Sequence, residues 1–115
     1  MSRAASAGAR RAVEAAPVFA ALGDETRLRL LSRLCIEGPL SISKLSEDAT
    51  ISRQAVSKHL ATLEGCGLLE AKRRGRERVY QFLPARLQAA QRYLEQVSAQ
   101  WDDAIERLRA HVEGD

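Results

Sequence analysis

Residues 51–70, ISRQAVSKHLATLEGCGLLE, carry start, stripe and stop signals for one short helix. The Ser52 hydroxyl suits an N-cap, where it accepts an orphan amide of the first turn, and Ile51 and Val56 stand where a hydrophobic staple requires them. Val56, Leu60 and Leu63 then form an inward stripe, and Gly65 and Gly67 suit its termination. The opposite face presents Gln54, Ser57, Lys58 and Ala61, with Arg53 on its flank. These residue types fit a DNA duplex. Arg and Gln make bidentate contacts to guanine and adenine, Ser bonds bases or phosphates, Lys neutralises phosphate, and Ala touches a thymine methyl. The N-terminus of the helix itself favours phosphate. Ser52, Arg53, Gln54, Ser57 and Lys58 are therefore candidate DNA-binding residues.

Upstream of this helix, Ser41 or Ser43 can cap a shorter one carrying Leu45, and Asp48-Ala49-Thr50 makes the break between them. The pair has the spacing of a helix-turn-helix, whose second helix enters the major groove. Downstream, residues 68–74 and 78–83 read as two short strands, with Gly75-Arg76-Glu77 as the turn of a hairpin. Lys72, Arg73, Arg74, Arg76 and Arg78 surround that turn, opposed only by Glu77. A charge run alone often marks nothing more than a solvated face. Placed just after a helix-turn-helix, an Arg-rich β-loop can reach the minor groove or the backbone, so Arg73, Arg74, Arg76 and Arg78 join the candidate set.

The rest of the chain completes the order. Pro17 suits a helix start, followed by Val18, Phe19 and Leu22 up to Gly23. Asp24 can cap a second helix with Leu28, Leu31, Leu34 and Cys35 on its apolar side, stopped by Gly38-Pro39. After Pro84, the residues Leu87, Ala90, Leu94, Val97, Trp101, Ile105, Leu108 and Val112 run at three- and four-residue steps along one long helix. The expected fold is mainly α: four helices, a small β-hairpin and a fifth helix, a winged helix-turn-helix. It spans residues 15–115 as one domain, behind a flexible N-terminal extension of residues 1–14.

Composition sets the outer bounds. The 115 residues are 45% hydrophobic and 29% charged with a formal charge of +3, values of an ordinary globular domain with room for one core. No apolar run approaches the ~20 residues of a membrane span, and the two cysteines fit a reducing, cytoplasmic setting with free thiols. No Ser-His-Asp set, carboxylate pair, phosphate loop or catalytic metal motif can be assembled, so neither an enzyme nor a cofactor is expected. Cys35 on the apolar side of its helix and Cys66 between two glycines read as buried spacers. A thiol switch between them is the competing reading, and sequence leaves their separation open.

At this point the chain resembles the ArsR/SmtB family of bacterial winged-helix repressors, over residues 17–112. The resemblance rests on LGDETRLRLLSRL (22–34), on ISRQAVSKHLATLEGCGLLE (51–70) and on RRGRERVYQF (73–82). It implies a homodimer, joined through the first and fifth helices, that blocks a promoter and releases it on an intracellular signal. The long stripe of the fifth helix points to a partner surface independently, because it exceeds what a small core could cover. Candidate dimer residues are Phe19, Leu94, Val97, Trp101, Ile105 and Leu108. Two recognition helices one DNA turn apart, ~34 Å, would read an inverted-repeat operator.

The chain departs from the family at its metal sites. Where many members carry a Cys-x-Cys pair, residues 40–43 place Ser41 and Ser43 at the ligand positions. Asp102, His111 and Glu113 do not match the spacing of the family's other site, and His59 fits packing or a phosphate contact better than metal ligation. No metal ligand is assigned, and the effector is unknown. The reading is a sequence-specific homodimeric repressor on double-stranded DNA, with no membrane partner. Its alternatives are a winged-helix protein-interaction module and a regulator switched through Cys35 and Cys66.

Overall fold

The computed structural model describes residues 3–114, and its inner helices start where the sequence supplies an acceptor for orphan amides. The elements are α1 (Arg3–Leu22), α2 (Glu25–Glu37), β1 (Leu40–Ser41), α3 (Ile42–Glu47), α4 (Arg53–Gly65), β2 (Leu69–Arg74), β3 (Glu77–Phe82) and α5 (Pro84–Glu113). Asp24, Ser41 and Ser52 cap α2, α3 and α4, their side chains accepting from the amides of Arg27, Lys44 and Ala55. Pro84 opens α5, where a missing amide costs nothing.

Beside one-residue changes at the ends of the hairpin strands, two larger differences separate the structure from the sequence reading. Helix α1 begins at Arg3, not at Pro17, so residues 3–14 are helical and Pro17 lies inside the helix. The stretch from Arg3 to Ala16 is rich in Ala and Arg, both strong helix formers. Pro17 cannot donate to the carbonyl of Val13, but both residues are exposed, so water can serve that carbonyl. The second difference is a strand the sequence reading lacked. Leu40 pairs with Tyr80 and Ser41 with Val79, which turns the hairpin into a three-stranded antiparallel sheet of order β1-β3-β2.

The core gathers Val18 from α1, Leu30, Leu31 and Leu34 from α2, Leu45 from α3, Val56, Leu60 and Leu63 from α4, and Leu68, Leu69 and Tyr80 around the sheet. In α2 the buried row is Leu30, Leu31 and Leu34, whereas Leu28 is about half exposed and Cys35 is exposed. The expected burial of Cys35 is thus corrected: the helix is rotated so that Leu30 takes the inward place.

Helix α5 gives the core one buried residue, Ala90, and then projects away from it. A 30-residue helix is about 45 Å long. The molecule measures 67 × 31 × 21 Å, and its radius of gyration of 18.9 Å compares with about 13 Å for a compact domain of this size. Among the described residues no helix is long and apolar enough to cross a membrane.

Candidate nucleic-acid interface

Helix α4 is anchored on one side and open on the other. Val56, Leu60 and Leu63 have no exposed surface, so the helix is gripped by the core along its length. The Ser52 hydroxyl accepts from the Ala55 amide at 3.1 Å, which fixes the first turn. Arg53, Gln54, Lys58 and Ala61 are exposed and Ser57 is half-buried, as the inward stripe dictates. Ser52 is itself exposed beside them, so its cap leaves the helix N-terminus open to an incoming phosphate.

A buttress behind α4 was not legible in the sequence. The Arg27 guanidinium donates from Nε to the Ala21 carbonyl at 2.6 Å and from Nη2 to the Ala20 carbonyl at 3.3 Å, covering the open end of α1. Its Nη1 lies 3.3 Å from Nδ1 of His59 on α4. The Asp24 carboxylate accepts from the Arg27 amide at 3.0 Å and stands 4.0 Å from both the guanidinium and the imidazole. That amide bond, with the Arg27 guanidinium adding positive charge, holds the Asp24 carboxyl below its ordinary range. His59 is therefore a packing and hydrogen-bonding residue that ties the recognition helix to α1 and α2.

The wing is a two-residue hairpin. Arg74 pairs with Glu77, leaving Gly75 and Arg76 as the loop. Gly75 has φ +61° and, among the described residues, no non-glycine residue has positive φ, the pattern of a type II′ turn that suits the twist of two strands. Lys72, Arg73, Arg74 and Arg76 are exposed and form no ion pair among the described residues.

Two members of the charge run have other employment. Arg73 faces Arg78 across the strands, a like-charge pair that costs stability. Arg78 is drawn aside, with Nη2 at 3.3 Å from Oε1 of Glu64 on α4 and the guanidinium 5.7 Å from the Tyr80 ring centre. Glu77, expected to oppose the basic tip, begins β3 half-buried and accepts from the Ser43 hydroxyl at 2.9 Å. These two contacts tie the loop end of the wing to α3 and α4.

The serines that stand in the family's thiolate positions both have structural work. Ser41 caps α3 and Ser43 holds Glu77. Among the described residues no group of three or more His, Cys, Asp or Glu side chains is placed to hold a metal ion. Cys35 and Cys66 are free thiols, Cys35 exposed on α2 and Cys66 half-buried with its sulfur 3.3 Å from the Leu63 carbonyl. Asp102, His111 and Glu113 are exposed on the projecting part of α5.

The proposed dimer residues divide by position. Leu94, Trp101, Ile105 and Leu108 are 51%, 67%, 52% and 63% exposed, a large apolar surface that this chain does not cover. Val97 is half-buried, and Phe19 packs beside Tyr93 with ring centres 6.1 Å apart.

A gripped helix with a polar outer face, followed by a basic hairpin braced against α3 and α4, defines a winged helix-turn-helix transcriptional regulator that binds DNA. Comparison with known proteins gives the family. Residues 24–71 match the model of the bacterial regulatory protein, arsR family. The HTH-type transcriptional regulator YuzN of Bacillus subtilis (strain 168) is 41% identical over 71 residues, 56% of this chain and 77% of its own length. Among solved structures, an ArsR-like transcriptional regulator from Rhodococcus sp. RHA1 aligns with a TM-score of 0.72 and 42% identity, covering 84% of this chain and 91% of that one. The transcriptional repressor BigR from Xylella fastidiosa aligns with a TM-score of 0.61 and 27% identity over 86% of this chain and 96% of its own. The chain belongs to the ArsR family of helix-turn-helix transcriptional regulators, a non-enzymatic family.

Proposed function

We propose that this regulator is a homodimeric repressor that reads an inverted-repeat operator. The observation that carries the reading is the pairing of a DNA-suited α4 face with an uncovered apolar face on α5. In this mechanism Arg53, Gln54 and Ser57 meet base edges in the major groove, and Lys58 and the Ser52 end of α4 engage phosphate. Arg73, Arg74 and Arg76 on the wing neutralise the neighbouring backbone, releasing condensed counterions. Trp101, Ile105 and Leu108 bury against a second copy, which sets two recognition helices one turn of duplex apart. Occupancy of the operator then obstructs transcription, in keeping with the similarity to the BigR repressor. Serine hydroxyls are far weaker ligands for soft metals than thiolates, so the signal is not assigned to a metal at Ser41 and Ser43.

The test is a fluorescence-anisotropy titration of the full chain against the duplex upstream of its own gene and against a shuffled duplex of equal composition. The reading expects preference for the former by at least about a hundredfold, in line with specific recognition of other operators. Equal affinity for both duplexes, at any salt concentration, defeats it.

A further inference from the structure

A cleft of about 360 Å³ lies between α1 and α5, lined on one side by Arg11 and Glu14 and on the other by Arg86, Arg92 and Gln96. Its floor includes Ala15 and Ala90, which are 6% and 2% exposed, so a ligand reaching it would meet a small apolar surface beneath a cationic rim. Three guanidinium groups face one carboxylate. None of the four charged groups forms an ion pair among the described residues, as is also true of Arg53 and of Arg73, Arg74 and Arg76 on the wing.

Two of the arginines are held in place. Arg11 donates from Nη1 to Oε1 of Gln96 across the cleft, a bond that joins the two helices. The stem of Arg86 lies on the backbone of Gly67, whose φ is +84°, and a Cβ added there would stand 2.9 Å from Cγ of Arg86. The absent side chain makes room for that stem. Preorganisation of this kind lowers the ordering cost of binding.

The site is remote from the face assigned to DNA. Gly67 lies at the root of the hairpin, about 20 Å along a six-residue strand from the Gly75 tip. It also follows the C-terminus of α4, about 20 Å along that 13-residue helix from Ser52. A guanidinium cluster so far back suits a small solute better than the phosphates of a duplex read by α4 and the wing.

We propose that the α1–α5 cleft binds a small organic anion, with Arg11, Arg86 and Arg92 holding its carboxylate or phosphate groups and Ala15 and Ala90 meeting its carbon frame. Its volume lies at the small end of the range for ligand pockets. Charge-assisted, forked contacts from arginine supply the affinity, since the same anion in water would find only mobile counterions. The site stands independently of the operator reading. Because it joins α1 to α5, an occupant would bias how α5 leaves the core.

The experiment uses full-length, isotope-labelled protein without DNA, titrated with citrate and separately with glucose 6-phosphate at constant ionic strength. The readout is the Nε–H resonances of the arginines. Saturable shifts at Arg86 and Arg92 with a Kd near or below about 1 mM are expected for one probe or both. Response to citrate alone assigns a polycarboxylate, and to glucose 6-phosphate alone a phosphate ester. The double variant R86Q/R92Q should weaken binding at least about tenfold while keeping the wild-type melting profile, and R73Q/R76Q should leave it unchanged. Shifts confined to the wing, a response to neither probe up to about 10 mM, or undiminished binding in R86Q/R92Q overturns the proposal.

Discussion

The Ser43 hydroxyl donates to Oε1 of Glu77 at 2.9 Å, joining the first helix of the helix-turn-helix to the strand that leaves the wing. The contact spans 34 positions in the chain and is partly buried. Removing the hydroxyl leaves a sheltered carboxylate with one partner fewer, and its other oxygen, Oε2, is already buried without one. Ser43→Ala should therefore lower unfolding free energy by about 1–2 kcal/mol in urea titrations monitored by circular dichroism. DNA affinity should fall with it, because the loop end of the wing is less constrained. Unchanged stability would show that the contact is made only transiently.

Ser52 lets capping and DNA contact be separated. Ser52→Ala should cost about 1 kcal/mol of stability, the usual loss of an N-cap. Ser52→Asp keeps an acceptor for the Ala55 amide and should hold stability near wild type. It also sets a negative charge at the end of α4 proposed to meet phosphate, so its DNA affinity should fall at least about tenfold, a change of about 1.4 kcal/mol. Comparable DNA binding by the Asp variant and wild type would remove the α4 N-terminus from the interface.

The wing arginines should not be equivalent. Arg76 sits free in the hairpin loop, whereas Arg78 is shared with Glu64 and Tyr80. Arg76→Ala should flatten the plot of log affinity against log salt by about one unit, the signature of one lost phosphate contact. Arg78→Ala should change that slope less.

Association is tested through residues already exposed in the single chain. W101D and L108D together should convert a dimer to a monomer in sedimentation analysis without unfolding the core, since both side chains are 63% or more exposed. Affinity for a two-half-site duplex should drop at least about a hundredfold, because the second half-site contact is no longer intramolecular. A variant that remains dimeric would relocate the interface.

The Asp24 carboxyl yields a pH prediction. Its folded-state value is depressed below the ordinary 3.8, mainly by the Arg27 amide, so the stability it contributes is present above 3.8 and is lost as pH falls through the depressed value. Asp24→Asn keeps a capping side chain but not the charge. Wild type should exceed this variant in urea midpoint at neutral pH, and the gap should close progressively below about pH 4.

Legibility from sequence followed the range of the forces. Helix α4 could be read because Ser52, Val56, Leu60 and Leu63 act within four residues of one another, and Gly75 marked the hairpin for the same local reason. Helix α2 was harder. Leu28, Leu30, Leu31, Leu34 and Cys35 allow two overlapping apolar rows, and only packing against neighbouring elements selects Leu30, Leu31 and Leu34. That choice put Cys35 outside. Strand β1 has two residues, too few for any period, and exists because β3 offers a free edge beside it.

Local chemistry was thus sufficient for the helix-turn-helix, the basic hairpin and the long apolar face of α5, since caps, turns and periodicity are properties of adjacent residues. Three-dimensional packing alone decided that Arg27 braces His59, that Glu77 turns from the wing tip to Ser43, and that Arg11 meets Arg86 and Arg92 across a cleft. Such contacts join residues 32 or more positions apart, and their free energies depend on distances and burial that exist only once the chain has closed on itself.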